Sequence, residues 1–219
     1  MKERPILFSG PMVRAILDGW KTQTRRIVKG AQPTGASGHT ISGDWFRNER
    51  LVMREHKAVS AISDVLWSQE CPYGRVGDRL WVRETWAFEL GAISSTRDEN
   101  APLVYAADGE QALRSRLCDR WRPSIHMPRW ASRINLEITG IRVERLQDIS
   151  ETDARAEGAE EVWFDHGSAA DRGLIDMPCM EINAPFRNGY ALLWDQINGR
   201  GSWAGNPWVW VYDFCEVHP

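Results

Sequence analysis

The sequence has no paired-cysteine motif. Its four cysteines, Cys71, Cys118, Cys179 and Cys215, are scattered, with no C-x-x-C and no histidine at ligand spacing. A zinc site or a secreted disulfide framework needs closer, patterned spacing, so the chain reads as holding neither, and no metal or organic cofactor is implied. Long apolar runs are missing too. Nothing approaches membrane-spanning length, and the opening MKERPILFSGPM lacks the apolar stretch of a signal peptide. The expectation is a cytoplasmic protein with no membrane partner. Excess positive charge is also absent: the formal net charge of −3 argues against a protein that coats nucleic acid non-specifically. No internal repeat is found.

What is present is unevenly distributed. Residues 1–30 carry seven Lys/Arg against two acids and residues 112–145 eight Arg against three acids, each a local +5. Residues 150–176 carry eight acids against two Arg, a local −6. If the two basic stretches meet in space, an anion site survives an acidic average. The twelve tryptophans are the one unusual feature of composition, and several stand beside arginines. At 219 residues the chain can bury a core unaided and reads as one domain over 1–219 with an insertion at about 30–70.

Along the chain, Pro5–Ser9 fits a strand, and Met12, Val13, Ile16 and Leu17 fall on one face of a helix over Met12–Asp18. Gly19 is placed to cap that helix, and Thr22–Val28 reads as a strand. Residues 30–44 are rich in Gly, Ser and Thr and read as a flexible insertion, while 49–68 hold a weak helical pattern. In GRVGDRLWVRETW a Gly-Asp turn precedes alternation that puts Leu80, Val82 and Glu84 on one face and Trp81, Arg83 and Thr85 on the other. A buried Glu84 would most simply pair with an arginine. Leu103–Ala107 reads as a short strand, and 91–100 and 165–184 as irregular. Ser132–Leu146 reads as two strands or one bent at Gly140. Ser150 and Asp153 open a short helix ending at Gly158, residues 186–197 form an amphipathic helix, and Trp208–Val217 alternates as a closing strand. Trp203, Trp208 and Trp210 read as packing residues. Many short strands with few helices predict an α+β, barrel-centred domain.

The densest chemistry is Gly19-Trp20-Lys21-Thr22-Gln23-Thr24-Arg25-Arg26. In a regular strand Lys21 and Thr24 point to opposite faces, so they converge only if Lys21 still lies on the turn after Gly19. A neutral lysine could take the proton of the threonine hydroxyl, and neighbouring arginines favour that neutral form. A charged lysine could instead donate to a developing oxyanion. The plainer reading is a solvated basic start of a strand.

The run ILDGWKTQTRR resembles the hallmark of the ASCH family, a PUA-like group with a Gly-x-Lys-Thr-x-Thr-x-Arg run near the N-terminus. The Gly77-Asp78 turn before RLWVRE, the acidic helix LQDISETDARAEG and the closing WVWVYDF resemble later elements in the same order, and together they cover roughly a third of the chain. The whole is similar to longer ASCH-type proteins of phages and prophages. The resemblance implies a PUA-like β-barrel with a few flanking helices. It also implies an amidohydrolase that removes acyl groups from N4-acylated cytosine nucleosides with a lysine, a threonine and a glutamate. By motif position these are Lys21, Thr24 and Glu157: Thr24 attacks, Lys21 accepts its proton or steadies the oxyanion, and Glu157 protonates the leaving amine. Arg25 or Arg26 would hold substrate or tune Lys21. Glu157 stands near a helix C-terminus, whose dipole disfavours a charged carboxylate, as suits a general acid. Its plainer reading is a solvated acidic face shared with Asp153, Glu160 and Glu161.

A second cluster runs from Arg120-Trp121-Arg122 to His126-Met127-Pro128-Arg129-Trp130-Ala131-Ser132-Arg133. Arginines interleaved with tryptophan suit phosphate neutralisation and base stacking, with Arg129 and Trp130 as the substrate-binding candidates. The alternative is core tryptophans with arginines stacked upon them. The rival to hydrolysis is therefore recognition of nucleic acid, RNA ahead of modified DNA, with or without nuclease action. A further alternative gives the 30–70 segment a protein partner.

Overall fold

The helical spacing of Met12, Val13 and Ile16 is realised in α1 (Gly10–Leu17), where all three are buried and Leu17 is left outside. The computed structural model describes residues 1–28, 71–89, 102–109, 118, 120–163, 181 and 183–217. The expectations for 30–44, 49–68, 91–100 and most of 165–184 lie outside the described residues. The chain groups into two units: Met1–Lys21 with Pro72–Thr139 and Phe214–Pro219, and Thr22–Cys71 with Gly140–Asp213.

In the first unit β1 (Glu3–Leu7) runs parallel to β3 (Arg79–Arg83), and β3 pairs antiparallel with the start of β6 (Asn135–Arg145). The Gly-Asp turn before β3 forms as its chemistry dictates. Gly77 takes a φ of 85°, in the left-handed region open to glycine, and the Asp78 carboxylate accepts from the backbone N–H groups of Lys2 and Arg75. Period-two alternation holds across β3 and beyond: Leu80, Val82 and Glu84 are buried. A short hairpin of β4 (Trp86–Phe88) and β5 (Leu103–Tyr105) adds a small core of Trp86, Phe88, Met127 and Ala131, with Trp130 and Tyr105 packed against it.

In the second unit β2 (Gln23–Ile27) pairs antiparallel with β7 (Trp208–Glu216), setting Thr24 opposite Tyr212 and Arg25 opposite Val211. Alternation in β7 is overridden by packing: Val209, Trp210, Val211 and Tyr212 are all buried, so the strand is covered on both faces. Helices α2 (Glu151–Ala156) and α3 (Pro185–Asn198) pack together over a core that includes Leu146, Ile149, Tyr190, Trp194, Trp203, Val209 and Val211. Each fully buried aliphatic or aromatic side chain here contributes about 1.5–3 kcal/mol. The Glu151 carboxylate accepts from the N–H groups of Phe186 and Arg187 and so satisfies the start of α3. β6 is one strand through Gly140, where a Cβ would come 2.6 Å from a carboxylate oxygen of Asp213.

The five longer strands follow the hydrogen-bonded order β1-β3-β6-β7-β2, with β6 and β7 contributing residues to both units. The fold is mixed α+β, with one main sheet and few helices. The expected closed barrel is not formed by the described strands, because β1 and β2 end the order without pairing to each other. Among the described residues no helix is long and apolar enough to cross a membrane.

Candidate functional site

Gly19 reverses the chain after α1 with a φ of 76°, and the N–H groups of Trp20 and Lys21 both donate to the carbonyl of Ala15. Lys21 therefore sits on the turn and not on β2, which begins at Gln23. It belongs to the first unit, is only 3% exposed, and carries its ammonium 5.4 Å from the ring centre of Phe8.

From Gln23 onward the strand sorts its polar side chains by parity. Thr24 and Arg26 share one face, and Arg26 donates Nη1–H to the Thr24 hydroxyl oxygen at 2.8 Å. Gln23 and Arg25 share the other, where Arg25 donates Nη1–H to Gln23 Oε1 at 3.2 Å. Thr24 and Arg25 are 1% and 2% exposed, so the start of this strand is not a solvated basic segment.

Arg25 is the hub of the second unit. Its Nε and Nη2 both reach Glu144 Oε1, at 2.9 and 2.6 Å, and Nη1 reaches Glu157 Oε1 at 3.0 Å. Asp153 Oδ2 lies 3.4 Å from Nη2, and the Tyr190 ring centre lies 6.0 Å from the guanidinium carbon. Arg142 ties the same carboxylates from the other side. It binds Glu144 at 3.1 Å, Asp153 at 3.1 Å and Asp213 at 3.0 Å. Burial alone would discharge Arg25, but the carboxylates of Glu157 and Glu144 outweigh it and hold the guanidinium above its usual pKa. Burial is the largest influence on Tyr190 and, with Glu157, pushes its phenol well up, so it stays neutral.

Glu157 reaches this hub because of how α2 begins and ends. Ser150 Oγ accepts from the Asp153 N–H at 3.0 Å, as the sequence pattern predicts. The reciprocal half of a capping box is missing, since the Asp153 carboxylate turns instead to Gln23, Arg25 and Arg142. At the other end Glu157 is the cap residue, Gly158 takes a φ of 78°, and Thr22 N–H donates to the Ala156 carbonyl at 2.8 Å. The helix end is thus stitched to the residue preceding β2. Glu157 is 3% exposed, which removes the solvated-face reading.

The structure gives two of the expected site residues these surroundings. Arg25, expected to hold substrate or tune Lys21, has its guanidinium engaged by protein carboxylates. Glu157, expected as a general acid at the helix end, faces the Arg25 guanidinium at 3.0 Å. The structure brings Arg25 to Glu157 and Arg26 to Thr24, each through a guanidinium hydrogen bond. Arg129 and Trp130 lie in the first unit. Arg129 is bound to Glu3 and Asn135, and Trp130 packs edge-on to Trp86 at 5.8 Å and against Phe88 at 6.3 Å. Glu84 finds its arginine: Arg133 grips both its oxygens, at 2.9 and 3.1 Å.

Sequence reading missed Gln23, Arg142, Glu144, Asp153, Tyr190 and Asp213 as members of the hub. One signal was available, since Arg142 and Glu144 are two apart on a strand and must share a face. Among the described residues no group of three or more His, Cys, Asp or Glu is placed to hold a metal ion. No protein-family model, curated protein or solved structure matches this chain.

Proposed function

We propose that this chain is a nucleobase- or nucleoside-directed amidohydrolase of the PUA-like ASCH type, which removes acyl groups from N4-acylated cytosine. The observation that carries this reading is burial. Lys21, Thr24 and Glu157, the three residues that the resemblance assigns to the reaction, are 3%, 1% and 3% exposed. Polar and charged groups are withdrawn from water at a cost, and such burial is concentrated at sites with a task.

In the reaction Thr24 Oγ1 attacks the acyl carbonyl and forms an ester while the N4–carbonyl bond breaks. Arg26, already donating to that oxygen, stabilises negative charge as the hydroxyl loses its proton. Glu157, 3.0 Å from an Arg25 nitrogen, is the group that the resemblance assigns to protonating the departing cytosine amine. Lys21 keeps the role that the resemblance gives it, accepting the Thr24 proton or steadying the oxyanion. Water then hydrolyses the ester and restores Thr24. The test is release of cytidine from N4-acylcytidines by wild type and by Lys21→Ala, Thr24→Ala and Glu157→Ala. Loss in all three supports the reading. Wild type inactive across acyl groups, or all three variants fully active, ends it.

A second reading, recognition of nucleic acid without hydrolysis, draws on one feature of the first unit. Trp81 stands on the outward parity of β3 near two guanidiniums, Arg83 at 5.3 Å and Arg129 at 5.9 Å from its ring centre. That reading requires affinity for single-stranded RNA that falls steeply with salt and weakens on Trp81→Ala or Arg129→Ala. Salt-insensitive or absent binding counts against it.

A further inference from the structure

Glu157 sits at the C-terminal end of α2, where unsatisfied carbonyls make a carboxylate unwelcome, and it is almost wholly buried. A carboxylate in such a place needs a partner, and Arg25 supplies one at 3.0 Å. Arg25 is itself immobilised. Its guanidinium fork engages Glu144 through two nitrogens, Asp153 through one, and Gln23 and Glu157 through the remaining one. Gln23 is fixed in turn by its amide, which donates to Asp153 Oδ1 at 3.0 Å. Glu144 is held on its second oxygen by Arg142, which also binds Asp153 and Asp213. The network thereby joins side chains from β2, β6, α2 and β7, all within one unit.

We infer that Arg25 is a positioning residue: it sets the orientation of Glu157 for the proposed deacylation without touching substrate. The inference rests on the amidohydrolase reading and adds to it a residue with a different duty from the one its sequence neighbourhood suggests. Its hydrogen bonds separate this role from substrate binding. Its Nε and Nη2 are engaged by Glu144 and Asp153, and its Nη1 by Gln23 and Glu157. Lysine cannot replace it, because a single ammonium cannot serve Glu144 and Glu157 in the planar geometry of a guanidinium. A carboxylate misplaced by about 1 Å costs on the order of 100-fold in rate.

The experiment is a double-mutant cycle in turnover of N4-acetylcytidine. It uses the full-length wild type, Arg25→Met, Arg25→Lys, Glu157→Gln and both Arg25 changes combined with Glu157→Gln. Arg25→Met and Arg25→Lys are expected to lower kcat about 100-fold with KM held within about twofold. In the Glu157→Gln background the same changes are expected to cost nothing further, because residues acting as a unit are non-additive. Circular dichroism and urea unfolding establish that each variant is folded, and Arg25→Lys carries the cycle if Arg25→Met is not. Losses that multiply across the two sites, or Arg25 variants as active as wild type, overturn the positioning role while leaving the reaction intact. A wild type that deacylates nothing, or a fully active Glu157→Gln, overturns the reaction itself.

Discussion

Arg26 donates Nη1–H to Oγ1 of Thr24 at 2.8 Å, two residues back on the same face of β2. Strand parity puts the two on one face, and the chemistry of their bond matters. A guanidinium on the oxygen of an alcohol uses one lone pair and stabilises whatever negative charge that oxygen acquires. Next to it, Arg25 on the opposite parity serves carboxylates instead. Adjacent residues of one type thus have unrelated partners.

If Thr24 is the nucleophile, Arg26→Met is expected to lower kcat by about 100- to 1,000-fold, the usual cost of losing one preorganised donor to a developing charge. Thr24→Val should abolish turnover and Thr24→Ser should retain part of it. Steady-state kinetics with N4-acetylcytidine checks this; an Arg26→Met enzyme with unchanged kcat would remove Arg26 from the mechanism.

Glu84 makes a prediction about pH. Burial is the largest influence on it and pushes its carboxyl above the ordinary 4.5, against the hydrogen bond and charge of Arg133 and with a small push from Asp108. The folded state therefore holds this proton more tightly than the unfolded chain does. The stability so gained is complete below pH 4.5 and is lost as pH rises through the higher native value. The unfolding free energy of wild type relative to Glu84→Gln is expected to fall across that window. Urea titrations at several pH values read it directly, and a difference that stays flat or grows contradicts the assignment.

Gly189 lies in α3 where a Cβ would collide with the backbone carbonyl oxygen of Glu160. Backbone cannot swing aside as a side-chain tip can, so Gly189→Ala should destabilise by about 1–3 kcal/mol or more despite the better helix propensity of alanine. Gly199→Ala is the control. Its Cβ would meet nothing, and its penalty comes from a φ of 101° alone. Thermal unfolding of the two variants separates close packing from backbone strain; a neutral Gly189→Ala means the helix does not approach Glu160 as described.

Much of the local structure was readable without coordinates. The stripe of Met12, Val13 and Ile16, the left-handed glycines at 19 and 77, the parity of Leu80, Val82 and Glu84, and the Ser150 cap are all dictated by residues a few positions apart. The placement of Lys21 on the turn, which any convergence with Thr24 requires, also follows from Gly19. Parity failed in β7, because whether a strand is covered on one face or two depends on what else packs there. The open sheet was likewise beyond local pattern, since closure depends on which strands end the order.

Sequence by itself determined the kinds of groups available and the face each one takes along its own element, because backbone geometry repeats every two or 3.6 residues. Tertiary structure alone decided which of them meet. Arg25 and Arg26 are chemically identical neighbours, yet the carboxylates that claim Arg25 come from 119, 128 and 132 positions away. An ion pair in a buried setting depends on distance and desolvation in space, and neither is written into the order of residues along the chain.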